Sequence, residues 1–313
     1  MRLYDLVTFK HSLTANLNIA EVIDSINKLC QNLASIKTQA ITDQKNTEFV
    51  DQLIAHYQTL LDQIKLPLDF KQEKIKEIDS IIINESHKLF ANSYEIETRN
   101  GGYENVRDHR KITVHQDTEQ LIKQRIMLYT NWRYPALEIG CRQGEWTQYM
   151  VSADPLYIMA QFPEFLKTTN EVFPSQYQNR LRKYLINIET HDFGALPQGQ
   201  MGFIFSWDYF NYISLDTFTQ AIKQIQSLLR PGGVFLFSYN DGDTSAGMGM
   251  AESMAQTYLP KSLLIPTCQS VGLEIVSEQN VDTNIHWLEV KKPGSLHTVK
   301  AHQVLGEIKQ REN

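Results

Sequence analysis

Apolar residues near the N-terminus recur at helical spacing. Ile19, Val22, Ile26, Leu29, Leu33 and Ile36 follow one another at intervals of three and four, a stripe along one helix face. Thr38 to Thr47 is polar and interrupts it. A second stripe runs through Val50, Leu53, Tyr57, Leu60 and Ile64, and Pro67 is expected to end that helix. A third helix is expected from about Gln72 to Leu89, with Ile75, Ile78 and Ile82 inward. Residues 1–95 thus read as a small helical bundle or hairpin, with an oligomerisation or docking arm as the sharper alternative. Residues 96–116 read as a linker or a cover over a site. Asn100-Gly101-Gly102 marks a turn there, and Arg107, His109, Arg110 and Lys111 form a short basic cluster. That cluster reads as a solvated face, with carboxylate or phosphate binding as its alternative, and His109 and His115 as ordinary loop histidines.

Beyond residue 117 the pattern changes to alternating strands and helices. Asp117-Thr118 can cap a helix carrying Leu121, Ile122, Ile126 and Leu128. Short apolar runs at 135–140, 156–160, 181–188, 203–207, 234–238, 273–276 and 285–290 read as strands. Helices are expected at 146–151, 163–173, 215–229 and 253–271, with Arg230-Pro-Gly-Gly233 closing the third and Gly272 the fourth. Repeated βα units predict a doubly wound, mostly parallel sheet, whose ligands sit at the carboxyl ends of the strands near the switch in strand order. Residues 295–313 read as a helical tail.

Composition narrows the function classes. In 313 residues, 42% are hydrophobic and 21% charged, enough apolar material for a full core. Thirty basic residues against 36 acidic ones give a net charge of −6, which disfavours nucleic acid as the partner. Cys30, Cys141 and Cys268 are odd in number and far apart, so neither a disulfide framework nor a metal site is legible. The first residues lack a signal peptide's apolar run, and no stretch of about 18 apolar residues exists to span a membrane, so the expected compartment is the cytoplasm.

The chemical clue is Leu137-Glu-Ile-Gly-Cys-Arg-Gln-Gly-Glu145, which follows a strand. Gly140 permits a sharp turn and close approach of backbone to a ligand, and the next amides can bind a polar group. Glu138 can accept hydrogen bonds from an ammonium. Neither the phosphate-loop Gly-Lys-Ser/Thr nor the dinucleotide Gly-x-Gly-x-x-Gly spacing is present.

With this loop, the chain resembles the class I S-adenosylmethionine-dependent methyltransferases. Their first motif, acid-x-Gly-x-Gly-x-Gly, corresponds to Glu138-x-Gly140-x-Arg142-x-Gly144; their fourth strand and turn to Phe203–Asp208; their turn before the fifth strand to Leu228–Val234; and their last two strands to Leu273–Val290. The likeness covers about 117–292 and leaves out the N-terminal helices. It implies a seven-stranded class I fold over 117–294 and S-adenosylmethionine as cofactor. Gly140, Cys141 and Gly144 would lie against the methionine end and Glu138 near its ammonium. Asp192 and Phe193 would meet the adenine, and Ser206, at the end of the fourth strand, would also contact the cofactor. The family's ribose-binding acid is replaced by Ala160, and Gln161 beside it can substitute through its amide. Arg142 replaces the middle glycine. Asp208 is the expected base or substrate contact, with Trp207, Tyr209 and Tyr212 as an aromatic wall. Tyr239, Asn240 and Asp241 fall where substrate loops lie; Asp241 and Asp243 could bind a cationic substrate or a metal, with turn formation as the alternative. Gly247-Met-Gly-Met250 reads as a flexible flap. No Asn-Pro-Pro-Tyr motif follows the fourth strand, which disfavours amino methylation of DNA bases or glutamine. The function expected is methyl transfer to an unidentified acceptor. The alternatives are a structural or assembly protein, as in a virus particle, that retains the fold, and a decarboxylating or cyclising relative.

Overall fold

The computed structural model describes residues 3–14, 19–42, 47–99, 114–187, 190–193, 196–282 and 285–295. The turn at 100–102, the basic cluster at 107–111 and the tail from 296 onward lie outside them. The chain forms two units, divided between Lys88 and Leu89.

The first unit is helical: α1 (Leu3–Thr14), α2 (Ile19–Thr42) and the start of α3 (Glu48–Arg99). Pro67 does not end a helix, for α3 runs unbroken for 52 residues. Ile64 and Ile75 are 11 residues apart, about three helical turns, so the apolar stripe keeps its face across the proline. Ile78 and Leu61 are buried, whereas Leu29 and Ile36 of the first stripe are exposed. Lys37 pairs with Asp51 at 2.5 Å, and Lys10 with Asp79.

The second unit begins in the last turns of α3. Next come α4 (Gln116–Tyr129), β1 (Ala136–Ile139), β2 (Leu156–Ala160), α5 (Pro163–Glu171), α6 (Ser175–Gln178), β3 (Leu181–Leu185), β4 (Met201–Ser206), α7 (Leu215–Leu228), β5 (Leu229–Tyr239), α8 (Ser245–Glu252), α9 (Lys261–Ser270), β6 (Glu274–Asp282) and β7 (Ile285–Lys291). The strands form one sheet in the order β3-β2-β1-β4-β5-β7-β6. β1 to β5 are parallel, and β7 runs antiparallel to β5 and β6. This is the class I methyltransferase-like architecture.

Every residue of β1 and β4 is buried because both faces of the sheet are covered. On one face Leu137, Ile204, Phe235 and Phe237 pack with Phe218, Ile222 and Ile225 of α7. On the other, Ile158, Phe203, Phe205 and Leu236 pack with Ile122 and Ile126 of α4 and Leu166 of α5.

Several boundaries differ from the sequence reading. The helix expected at 146–151 is a single 3-10 turn, Thr147–Met150. Arg230-Pro-Gly-Gly233 does not stand outside the sheet: β5 starts at Leu229, and the extra residues are absorbed where the β4–β5 register shifts between Met201 and Phe203. Only the second half of the helix expected at 253–271 forms, as α9. The supposed flap, Gly247–Met250, lies inside α8, whose N-cap Thr244 accepts from the Gly247 amide. Gly247 is required by space: a Cβ there would lie 1.9 Å from the Asp241 carbonyl oxygen. Gly247→Ala is therefore expected to destabilise the fold by about 1–3 kcal/mol or more, read by urea unfolding. A flap glycine would tolerate the change, so unaltered stability contradicts this packing.

Candidate functional site

β1 has β2 on one side and β4 on the other, so the strand order switches at its carboxyl end, where a crevice is expected. The glycine loop emerges there. Gly140 (φ +81°) and Cys141 both donate their amides to Met159 O, at 2.9 and 3.0 Å. Gly144 (φ +79°) donates to Cys141 O at 2.8 Å, and a Cβ on it would meet the Thr169 backbone of α5 at 3.2 Å. Both positions therefore need glycine.

Arg142 (φ 43°) and Asp208 (φ 62°) are non-glycine residues in the left-handed region, one after β1 and the other after β4. Such conformations persist only where the surroundings hold them. Arg142 Nη1 meets Asp208 Oδ2 at 2.6 Å. The Asp208 amide donates to Ser238 Oγ at 2.7 Å, and Ser238 donates to Asn211 Oδ1 at 2.9 Å, which fixes the loop after β4. Asp208 is 2% exposed, and its Oδ1 has no hydrogen-bond partner. Burial pushes its carboxyl up to about 7, against the opposing pull of the Arg142 charge and a hydrogen bond from Tyr212.

Beside this pair lies a cavity of about 370 Å³, of a size that holds small ligands. Gly140, Cys141 and Arg142 form one side, Trp207 and Asp208 another. Glu145, Trp146, Gln148 and Tyr149 come from the turn after the glycine loop, and Val114 and Glu119 from the approach to α4 and its first turn. Trp146 leans against Trp207 with ring centroids 5.7 Å apart. Lys123 pairs with Glu119 at 2.8 Å and lies 4.8 Å from the centre of the Tyr149 ring.

The expected site residues divide in two. Gly140, Cys141, Trp207 and Asp208 border the cavity. Glu138, Gly144, Gln161, Asp192, Phe193, Ser206, Tyr209, Tyr239, Asn240 and Asp241 are not among its lining residues. Glu138 is buried, and its carboxylate accepts from the Thr147 hydroxyl. Ser206 ties β4 to β1 by donating to Ile139 O at 2.9 Å. Gln161 is 6% exposed with Nε2 unpartnered. Asp192 is exposed; Phe193 is buried and its amide donates to Gln224 Oε1 at 3.0 Å. Asn240 Nδ2 bridges Gly247 O and Thr257 O, at 2.9 and 2.8 Å. Asp241 and Asp243 cap α9 through the amides of Lys261 (2.9 Å) and Ser262 (2.6 Å). Tyr239 is fully buried, and its hydroxyl lacks a partner.

Tyr209 closes the other side of the glycine loop. A Cβ on Gly140 would lie 2.9 Å from Tyr209 Cβ. The Tyr209 hydroxyl is 2.9 Å from His191 Nδ1, and His191 Nε2 is 3.0 Å from Glu97 Oε1. Glu97 also accepts from the Ser214 amide at 2.8 Å and from the Thr217 hydroxyl. The sequence reading missed Glu119, Glu145, Trp146 and Tyr149. Glu145 and Trp146 directly follow Gly144, which was a signal; nothing in the sequence joined α4 to this loop.

Among the described residues, no group of three or more His, Cys, Asp or Glu side chains is placed to hold a metal, and no helix is long and apolar enough to cross a membrane.

A family model described as a methyltransferase domain matches residues 114–277, just over half of the chain. No curated protein matches it. Similar solved structures include an S-adenosylmethionine-dependent methyltransferase from Mesorhizobium loti, with 11% identity and a TM-score of 0.46, covering 56% of this chain and 97% of that one. The N-methyltransferase NodS from Bradyrhizobium japonicum WM9, in complex with S-adenosyl-L-homocysteine, has 15% identity and a TM-score of 0.45, covering 64% and 99%. Geranyl diphosphate C-methyltransferase from Streptomyces coelicolor A3(2) has 8% identity and a TM-score of 0.47, covering 56% and 81%.

The Glu138 carboxyl, whose ordinary value is 4.5, is pushed up to about 7, chiefly by burial, with the Thr147 bond opposing and the Glu145 charge adding. The folded state thus keeps a proton that the unfolded chain releases. The stability this confers is complete below the unfolded value and is lost as pH rises through the folded one. Glu138→Gln is expected to flatten the decline in melting temperature between about pH 4.5 and 7 without abolishing it, because Asp208 acts in the same sense. An unchanged decline contradicts a protonated, buried Glu138.

Proposed function

Since this chain belongs to the methyltransferase domain family, whose methyl donor is S-adenosylmethionine, we propose that it transfers a methyl group to a small acceptor admitted to the cavity beside the glycine loop. The observation that carries this reading is the cavity's position: it opens at the carboxyl ends of β1 and β4, against Gly140, Cys141 and Arg142.

The residues present fit the donor. Backbone at 140–142 borders open space, and two buried polar atoms near the loop lack partners, Gln161 Nε2 after β2 and Asp208 Oδ1 after β4. Buried polar atoms of this kind are satisfied by a bound group or by water. Gly140, Cys141 and Arg142 would hold the amino-acid end, and Gln161 would serve in place of the acid that Ala160 lacks. Glu138, committed to Thr147, supports the loop from beneath rather than touching the ligand. When bound, the cofactor supplies an electrophilic methyl group on a sulfonium.

The chain's own contribution is alignment and proton control. Trp146, Tyr149 and Trp207 wall the cavity with apolar faces and limit water. Asp208 Oδ1 is the proton acceptor: its carboxyl sits near 7, where it takes up and releases a proton at neutral pH, while Arg142 holds Oδ2.

Isothermal titration of the full chain with S-adenosylmethionine and with S-adenosylhomocysteine is expected to give micromolar affinity for both. Absence of heat and of any thermal shift up to millimolar ligand contradicts the reading and favours a non-catalytic protein that retains the fold.

A further inference from the structure

We propose that Glu97, on the last turns of α3, is a positioning residue for the glycine loop and acts on it through His191 and Tyr209. The ligand-binding unit then begins in α3, ahead of residue 114, where the family match starts. The inference rests on the proposed function only for the identity of the ligand.

The first observation is the place of Tyr209. It follows Asp208, whose backbone is left-handed (φ 62°). Asp208 meets Arg142 beside the cavity, whereas Tyr209 fills the space that a Cβ on Gly140 would need, with its Cβ at 2.9 Å and its Cδ2 at 3.2 Å. Tyr209 is 1% exposed. Displacing it disturbs both the left-handed turn at Gly140 and the residue that holds Arg142.

The second is what holds Tyr209. A buried tyrosine hydroxyl calls for a partner, and here it lies 2.9 Å from His191 Nδ1. His191 is itself left-handed (φ 46°) and buried; its amide donates to Asn187 O at 2.7 Å, and its carbonyl accepts from Gln224 Nε2 at 3.3 Å. Backbone pinned in this way gives the ring one direction. Its other nitrogen, Nε2, is 3.0 Å from Glu97 Oε1. Glu97 also accepts from the Ser214 amide at 2.8 Å and from the Thr217 hydroxyl, at the start of α7. Burial alone would raise its carboxyl, but the bonds with His191, Ser214 and Thr217 outweigh burial and hold it below the ordinary value. The carboxylate is thus fixed by α7 and in turn fixes the ring that reaches Tyr209.

The third separates this role from the anchoring of α3. Ser93, one turn earlier, accepts from the Tyr258 amide at 2.7 Å, and Phe90 meets the Tyr258 ring with centroids 5.0 Å apart. Leu89 and Ile96 are buried. These contacts fasten the end of the helix by way of Tyr258 and not by way of the glycine loop.

The test is amide hydrogen exchange of the full chain without ligand, read at Gly140 and Cys141, whose amides are bonded to Met159 O. Tyr209→Phe keeps the ring on Gly140 and removes only the hydroxyl. It and Glu97→Ala are each expected to speed exchange at both amides about tenfold, and the double variant to exchange no faster than Glu97→Ala alone. Ser93→Ala, which loosens α3 by the other route, is expected to leave these two amides unchanged. Unaltered exchange in a folded Tyr209→Phe, additive effects in the double variant, or equal acceleration in Ser93→Ala overturns the proposal. Titration of the same proteins with S-adenosylhomocysteine is expected to show about tenfold weaker binding in Tyr209→Phe and Glu97→Ala; unchanged affinity in both, for a ligand that the wild type binds, also overturns it. If the wild type does not bind the nucleoside, methyl transfer falls, and the exchange measurement still decides the role of Glu97.

Discussion

The ion pair between Arg142 and Asp208 is the contact on which the site depends. It joins the loop after β1 to the loop after β4, two strands that are neighbours in the sheet but separated by more than 60 residues of chain. Both residues adopt left-handed backbone conformations. Such strain is maintained by what surrounds it: Gly140 and Cys141 are fastened to β2, and the Asp208 amide to Ser238 of β5. The pair uses one carboxylate oxygen and leaves the other buried without a partner. Arginine at the middle-glycine position thus does more than add bulk. It neutralises a carboxylate that burial would otherwise protonate more completely, and in doing so shapes one wall of the cavity.

The opposite side of the loop is organised differently. Tyr209 lies on Gly140, and a chain of contacts passes from its hydroxyl through His191 to Glu97. Glu97 accepts from Ser214 and Thr217, and the two ring nitrogens of His191 bridge it to the Tyr209 hydroxyl. Glu97 belongs to the last turns of α3, so the helix that enters this unit is part of the support beneath the glycine loop. The site therefore has one packed flank, rich in satisfied hydrogen bonds, and one open flank lined by carboxylates and aromatic rings.

How far the sequence disclosed this follows from range. The strands around Ile139, Ile158, Ile204 and Phe235 were legible because each is a short apolar run buried on both faces, and the glycine loop because its turn requires residues without Cβ. Pro67 misled, since a proline removes one backbone donor but does not by itself end a helix whose apolar stripe continues in phase. The glycines of 247–250 misled likewise: Gly247 is needed where α8 presses on the Asp241 carbonyl, a contact no local pattern discloses. Asp241 and Asp243 cap a helix that starts some twenty residues later. Glu119, Trp146 and Tyr149 reach the cavity from elements that meet only in the folded sheet.

The account's central claim is that the open flank of the glycine loop, braced by Arg142 and Asp208, receives the cofactor's amino-acid end. A crystal structure of the full chain grown with S-adenosylhomocysteine tests it most directly. The account predicts ligand density against 140–142 beside Trp207, with the Arg142–Asp208 contact retained. Density elsewhere on the domain, or an Arg142 side chain swung into the cavity and filling it, would contradict it.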